Sequence, residues 1–236
     1  MNISPETLAL FPMWFVAFLM SLTCHEAAHA LVAKWGGDPT AFHGGQVTLN
    51  PIPHIRREPF GTILVPILTY VLSGWMMGWA SAPYDPAWQR RYPRRAAWMA
   101  LAGPAANMIL VLFAAVCIRV GILARIFLMP ESAGFTHIVG AAPGEVASGL
   151  ATFLSILFSL NLLLCAFNLL PVPPLDGNTA VGIFLPEEVA LRFVEKTRNP
   201  AFTLIGFLLA WRLFGYIFDP LFTLGLNVLY PGAHFH

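Results

Sequence analysis

Residues 146–175 read VASGLATFLSILFSLNLLLCAFNLLPVPPL, thirty in a row without Asp, Glu, Lys, Arg or His. Roughly 20 apolar residues suffice for a helix to cross a bilayer, so this stretch is too long for one straight crossing. It ends in PVPP, where proline rings and missing N–H groups must break the helix. Four more apolar stretches share the chain: Leu8–Val32, Phe60–Ala82 with Pro66 inside it, Ala96–Ile118 behind the basic RRYPRR, and Ala201–Leu229 with Arg212 and Asp219-Pro220. Hydrophobic residues make up 57% of the chain and charged ones 11%, where a soluble domain carries about 25% charged. The expected fold is an all-α polytopic membrane protein of about five to six transmembrane segments. It forms one domain over 1–236, with a core at about 8–177 and amphipathic and hydrophobic segments at 178–236.

Charge and cysteine content exclude several classes. A net charge of +1 leaves no electrostatic footprint for nucleic acid; the lipid bilayer is the expected surrounding. Cys24, Cys117 and Cys165 are dispersed and odd in number, which argues for core residues rather than a disulfide framework. The first run lacks a basic leader and does not read as a cleaved signal peptide. Lys and Arg divide five (34, 56, 57, 119, 125) against seven (90, 91, 94, 95, 192, 196, 198) between alternate sides, too even to set orientation. Between the runs, AFHGGQVTLNP (Ala41–Pro51) reads as a short hairpin or edge strand, and Asn178–Asn199 as an amphipathic, interfacial segment.

The first run carries TCHEAAHALVAKW, with three ionisable groups in sequence otherwise fit for lipid. His25 and His29 are four residues apart, so on a helix they project about 40° from each other and can share one zinc ion, with Glu26 one flank over. This composition predicts about 0.007 chance HExxH matches in the chain. Burying such groups costs several kcal/mol unless they are paired or coordinated. A catalytic zinc needs a third protein ligand and an open position. Cys24 points about 100° away from the pair, Asp219 reads as a helix-end residue, and Cys165 has a ready core role. Asp176 stands out, placed after the PVPP break at or near membrane depth. Its alternative is an N-cap for the helix starting at Asn178. Irregular backbone at that depth implies a cavity or a protein lining.

HEAAH in an apolar span and NLLPVPPLDG (Asn168–Gly177) after a later one resemble the site-2 protease family, the intramembrane zinc metalloproteases of peptidase family M50. LAGPAAN (Leu101–Asn107) resembles that family's Gly-Pro-x-x-Asn stretch, and GGQVTLNPIPHI the segment after the first motif in its compact branch, which lacks PDZ and CBS domains. The resemblance runs from about Ala17 to Gly177. It departs where compact relatives read His-Ile-Asp-Pro and this chain reads His54-Ile55-Arg56-Arg57-Glu58-Pro59.

The resemblance implies one zinc per chain, held by His25, His29 and Asp176, with Glu26 as general base and Asn168 steadying an oxyanion or the substrate backbone; a hydrogen bond to a neighbouring membrane helix is the equal alternative for Asn168. It implies a zinc-dependent endopeptidase that cuts transmembrane protein substrates in or near their spans, in a multi-pass protein of a prokaryotic cell membrane. Gln46, Val47, Thr48 and Leu49, read as a strand edge, are expected to bind unwound substrate; a hairpin that only covers the cavity is the alternative. Gly103, Pro104 and Asn107 read as helix packing, His54 as a surface-loop residue or, if its loop folds into the cavity, one that reaches the metal, His43, His137, His234 and His236 as solvated, and Arg212 as snorkelling or paired with a carboxylate such as Asp219. Other functions open to such a chain are a zinc transporter, although spans two to four add no acidic or histidine residues, and an inactive substrate-binding homologue, against which the intact Glu26 argues.

Overall fold

The computed structural model describes residues 5–233 and 235, so His234 and His236 lie outside the described residues. Among the described residues four helices are long and apolar enough to span a membrane: α1 (Pro5–Trp35), α2 (Pro93–Leu123), α3 (Glu145–Asn168) and, after the amphipathic α4 (Glu187–Thr197), α5 (Pro200–Leu229). The 31 residues of α1 amount to about 46 Å of helix, more than a hydrocarbon layer of about 30 Å requires. Lys34 closes its last turn, and Gly37 turns the chain away with φ +97°. Pro93 starts α2 at a position where a missing N–H costs nothing.

Helix α3 is the centre of the bundle: 61% of its apolar window is buried, against 28% for α1 and α2 and 17% for α5. Its continuous apolar sequence suits that place, packed against both α1 and α2. Trp14, Phe18 and Leu22 of α1 meet Val111 and Ile118 of α2 and Ile156, Leu157 and Leu160 of α3 in the main core. A second, smaller cluster joins Ala33 to Trp88, Ala96 and Met99. His25 and His29 therefore lie between two apolar clusters along α1. Trp88 Nε1 and Arg95 both donate to Gly36 O at 3.0 Å, so the C-terminal end of α1 meets the N-terminal end of α2. Counting from Trp35, His29 and His25 sit roughly 9 and 15 Å down the helix.

The stretch Phe60–Ala82 differs from the expected second span. It forms a short apolar helix, Phe60–Ser73, whose first turn Phe60–Leu64 is a π-turn placed just ahead of Pro66. Gly74 caps it with φ +70°. The chain then returns along its own helix, with Trp79 N–H donating to Gly61 O and Met77 N–H to Thr69 Oγ1. A side chain on Gly61 would strike Trp79 O, and one on Gly78 would strike Gly61 O. Two bare positions thus convert an apolar run into a doubled-back half-length element. Arg57 donates to Ser81 O and Ser81 Oγ to Glu58, tying the stretch after His54 to the returning chain.

A two-stranded antiparallel sheet is present, Phe127–Leu128 paired with Gly140–Ala141 in the α2–α3 connection. The segment 46–49 forms no strand. There the chain leaves the helical turn Thr40–His43 and runs to Asn50, which caps the helix Pro51–Arg57. Ala201–Leu229 is one continuous helix through Pro220. Arg212 and Asp219 are both exposed on it, with no ion pair to either among the described residues.

Candidate metal centre and active site

Two elements bring His25, His29 and Asp176 together. The helical spacing in α1 aims both imidazoles at one point, with ring centroids 4.6 Å apart. The irregular loop after α3 brings in Asp176, whose Oδ2 lies 3.0 Å from His25 Nε2 and 3.3 Å from His29 Nε2. Asp176 has no cap hydrogen bond to the turn Gly177–Ala180, so its side chain faces the histidines rather than the helix end. Gly177 makes the loop possible: a Cβ there would lie 2.3 Å from Leu170 O and 2.4 Å from Leu169 O. Asn178, also buried, donates to Thr197 Oγ1 and fastens the turn to α4.

The outer nitrogens of both rings are engaged by one face of α2. His29 Nδ1 lies 2.7 Å from Met99 O, and His25 Nδ1 lies 2.6 Å from Asn107 Oδ1. A main-chain carbonyl can only accept, so His29 carries its proton on Nδ1; the amide oxygen of Asn107 imposes the same on His25. In the neutral rings both Nε2 atoms are then lone pairs, 3.0 Å apart, facing a carboxylate oxygen that has no hydrogen-bond donor. Three acceptors packed this closely repel one another unless a cation lies among them. A tetrahedral zinc with bonds of about 2.0–2.1 Å spaces its ligand atoms about 3.3–3.4 Å apart, near the observed separations. Among the described residues this is the only cluster of three or more His, Cys, Asp or Glu groups suited to a metal.

Gly103 lies between Met99 and Asn107 on that face of α2. A Cβ on it would strike the Nε2 atoms of both His29 and His25. The glycine leaves open the space an ion needs. By sequence alone Gly103 and Asn107 read as packing residues. The Gly-Pro-x-x-Asn motif was visible, but its relation to the histidines is a matter of helix contact.

Glu26 is buried, 4% exposed, and its carboxylate has no hydrogen-bond or ion-pair partner among the described residues. Asp176 is the open side, its side chain 22% exposed. It lies in the loop between α3 and α4, outside the spanning helices.

Other expected residues fall elsewhere. Asn168 ends α3 and donates to Leu164 O of its own helix. His54 is not a surface residue: it is buried, its Nε2 at 3.1 Å from Thr48 O and its Nδ1 without a partner. Gln46 is buried with Oε1 unpartnered, Val47 and Thr48 are half-buried, and Leu49 is exposed. His43 and His137 are exposed as expected.

The family model of Peptidase family M50 matches residues 13–213. "Putative zinc metalloprotease YwhC" of Bacillus subtilis is 32% identical over 219 residues, 92% of this chain and 89% of that protein. "Putative zinc metalloprotease Rip2" of Mycolicibacterium smegmatis is 32% identical over 179 residues, 76% of this chain and 60% of that longer protein. The Rip2 of Mycobacterium tuberculosis is 29% identical over 217 residues, 91% of this chain and 73% of its own. No solved structure matches. A family match across most of the length, on a bundle of spanning helices, places this chain in peptidase family M50, the site-2 protease family of integral membrane proteases.

Proposed function

We propose that this protein is a zinc-dependent intramembrane endopeptidase, binding one zinc per chain and hydrolysing peptide bonds in or near the spans of transmembrane protein substrates. The reading rests above all on the convergence of His25 Nε2, His29 Nε2 and Asp176 Oδ2 in a buried site along a spanning helix. These residues would hold the ion, while Met99 O and Asn107 fix the two rings. A bound zinc supplies Lewis acidity, polarising a scissile carbonyl and acidifying a water.

Glu26 is the base in this scheme. It is buried without a hydrogen-bond partner among the described residues, and it follows His25 by one residue on the helix. It would take a proton from the attacking water and deliver it to the leaving amine as the peptide C–N bond breaks. Asn168 retains an amide hydrogen beyond the one given to Leu164 O, and would donate it to developing negative charge or to the substrate backbone.

A helical substrate hides its carbonyls in its own hydrogen bonds, so cleavage requires local unwinding. The freed backbone groups then need partners. Val47, Thr48 and Leu49 are irregular, and none of their N–H groups meets an acceptor among the described residues. That suits Gln46–Leu49 to pairing with an unwound substrate, in the manner of strand addition.

The test uses purified protein in bilayer nanodiscs with single-span substrates, with and without a zinc chelator, beside Glu26→Gln. Chelation should abolish cleavage. Glu26→Gln should retain zinc and cut at least ~100-fold more slowly, the scale of a lost general base. Near-normal turnover in a zinc-loaded Glu26→Gln protein would make Glu26 structural and remove the hydrolytic reading.

A further inference from the structure

Behind His25 lies a chain of polar side chains in the middle of the bundle. Ser21 of α1, Asn107 of α2 and Asn161 of α3 are each fully buried, and they are linked to one another across the three helices. Asn161 Nδ2 donates to Ser21 Oγ at 2.8 Å and to Leu157 O at 2.8 Å. Asn107 Nδ2 donates to Asn161 Oδ1 at 2.8 Å and reaches Ser21 O at 3.5 Å. Ser21 Oγ donates to Ala17 O at 2.6 Å. Asn107 Oδ1 faces His25 Nδ1.

The direction of this chain is set at its far end. Leu157 O can only accept, so the amide group of Asn161 nearest it must be the NH2. That turns Asn161 Oδ1 towards Asn107 and demands the NH2 of Asn107 in return. Ser21 O, another obligate acceptor, makes the same demand of Asn107. Its oxygen is left for His25, whose Nδ1 must then carry the proton. A flipped Asn107 would present N–H to Nδ1, oppose its own NH2-seeking neighbours and move the His25 proton to Nε2, where an ion could no longer bind.

We propose that Asn107 is a positioning residue for the metal site and that Asn161, which touches neither histidine nor ion, sets its polarity. Together they hold His25 in the Nδ1–H form with the Nε2 lone pair directed inward. The two ligands are thus secured differently: His29 by a main-chain carbonyl that cannot rotate, His25 by a side-chain amide that needs its own support. The inference rests on the zinc reading above. Buried asparagines in membrane helices also hold helices together, and that role alone predicts lower melting temperatures with zinc release unchanged in the folded protein.

The experiment measures zinc release from the full-length protein in nanodiscs to a coloured chelator. Circular dichroism melts on the same samples establish that each variant is folded. Asn107→Ala and Asn161→Leu should release zinc about 10–100-fold faster than wild type, the scale for a lost outer partner of a metal-bound histidine. Asn161→Asp, protonated in its buried place, keeps an O–H for Leu157 O and a carbonyl for Asn107, and should release zinc within about threefold of wild type, close to no change on that scale. Equal release from Asn161→Leu and Asn161→Asp would overturn the proposal.

A second measurement needs no variant. Nitrogen NMR of histidine-labelled, zinc-loaded wild-type protein should show His25 protonated at Nδ1, and a His25 without a proton on Nδ1 would overturn the assignment. Wild-type protein that binds no zinc would instead remove the function proposed above, and is distinguishable from either result.

Discussion

Replacing Gly103 with alanine adds one methyl group, and its consequence can be worked out from the contacts around the site. The new Cβ would lie 2.3 and 2.5 Å from the two histidine Nε2 atoms, where ordinary contact begins near 3.4 Å. Relief requires a movement of roughly 1 Å. Helix α2 cannot supply it freely, because Met99 and Asn107, one turn to either side of Gly103 on the same face, hold the outer nitrogens of those rings. Any withdrawal stretches both bonds, each of which is worth about 10–100-fold in metal affinity. Zinc affinity should therefore fall at least ~100-fold, about 2.8 kcal/mol.

Folding should suffer less. Removing a glycine from a helix interior returns about 0.5–1 kcal/mol, against about 1–3 kcal/mol for overpacking. Gly121→Ala is the matched control on the same helix, since its Cβ would press on the Phe127 ring at 2.1 Å, away from the histidines. The assay is elemental analysis and chelator competition on purified Gly103→Ala and Gly121→Ala, with thermal melts of both. The expected result is zinc lost from the first and kept by the second. Zinc affinity in Gly103→Ala within threefold of wild type would refute the reasoning, because the space attributed to the ion would then lie elsewhere.

Two other perturbations test the loops around the site. Gly177→Ala should displace Asp176, because its Cβ would meet the carbonyl oxygens of Leu169 and Leu170, which are main chain and cannot rotate aside; zinc content and cleavage should fall together, and normal zinc content would separate Gly177 from the site. Thr48→Pro and Leu49→Pro each remove an unpaired N–H and should slow cleavage of helical substrates severalfold with zinc unchanged, whereas unchanged cleavage in both would leave Gln46–Leu49 a cover for the cavity.

Much of this protein is legible in one dimension because the relevant physics is local. A spanning helix is declared by its own run of apolar residues, and α1, α2, α3 and α5 lie where such runs lie. The pairing of His25 with His29 follows from the pitch of a helix. The break after α3 follows from PVPP, and the reach of the apolar sequence past Asn168 into that loop explains why the run exceeded one crossing.

Tertiary structure decided the rest, wherever an outcome depends on which surfaces meet. Phe60–Ala82 has the composition of a full span, yet Gly61 and Gly78 let the chain fold back on itself, and no propensity of either residue announces the other. His54 sits in a polar loop sequence but is buried, because its ring is held by Thr48 O. The segment 46–49 has strand-like composition and finds no strand beside it. Asp176 keeps a helix cap as its alternative until its Oδ2 is found 3.0 Å from His25. Gly103 and Asn107 are small and polar residues of the kind that help helices pack. Only the docking of α2 across α1 turns one into the space beside two nitrogen lone pairs and the other into the acceptor that orients one of them.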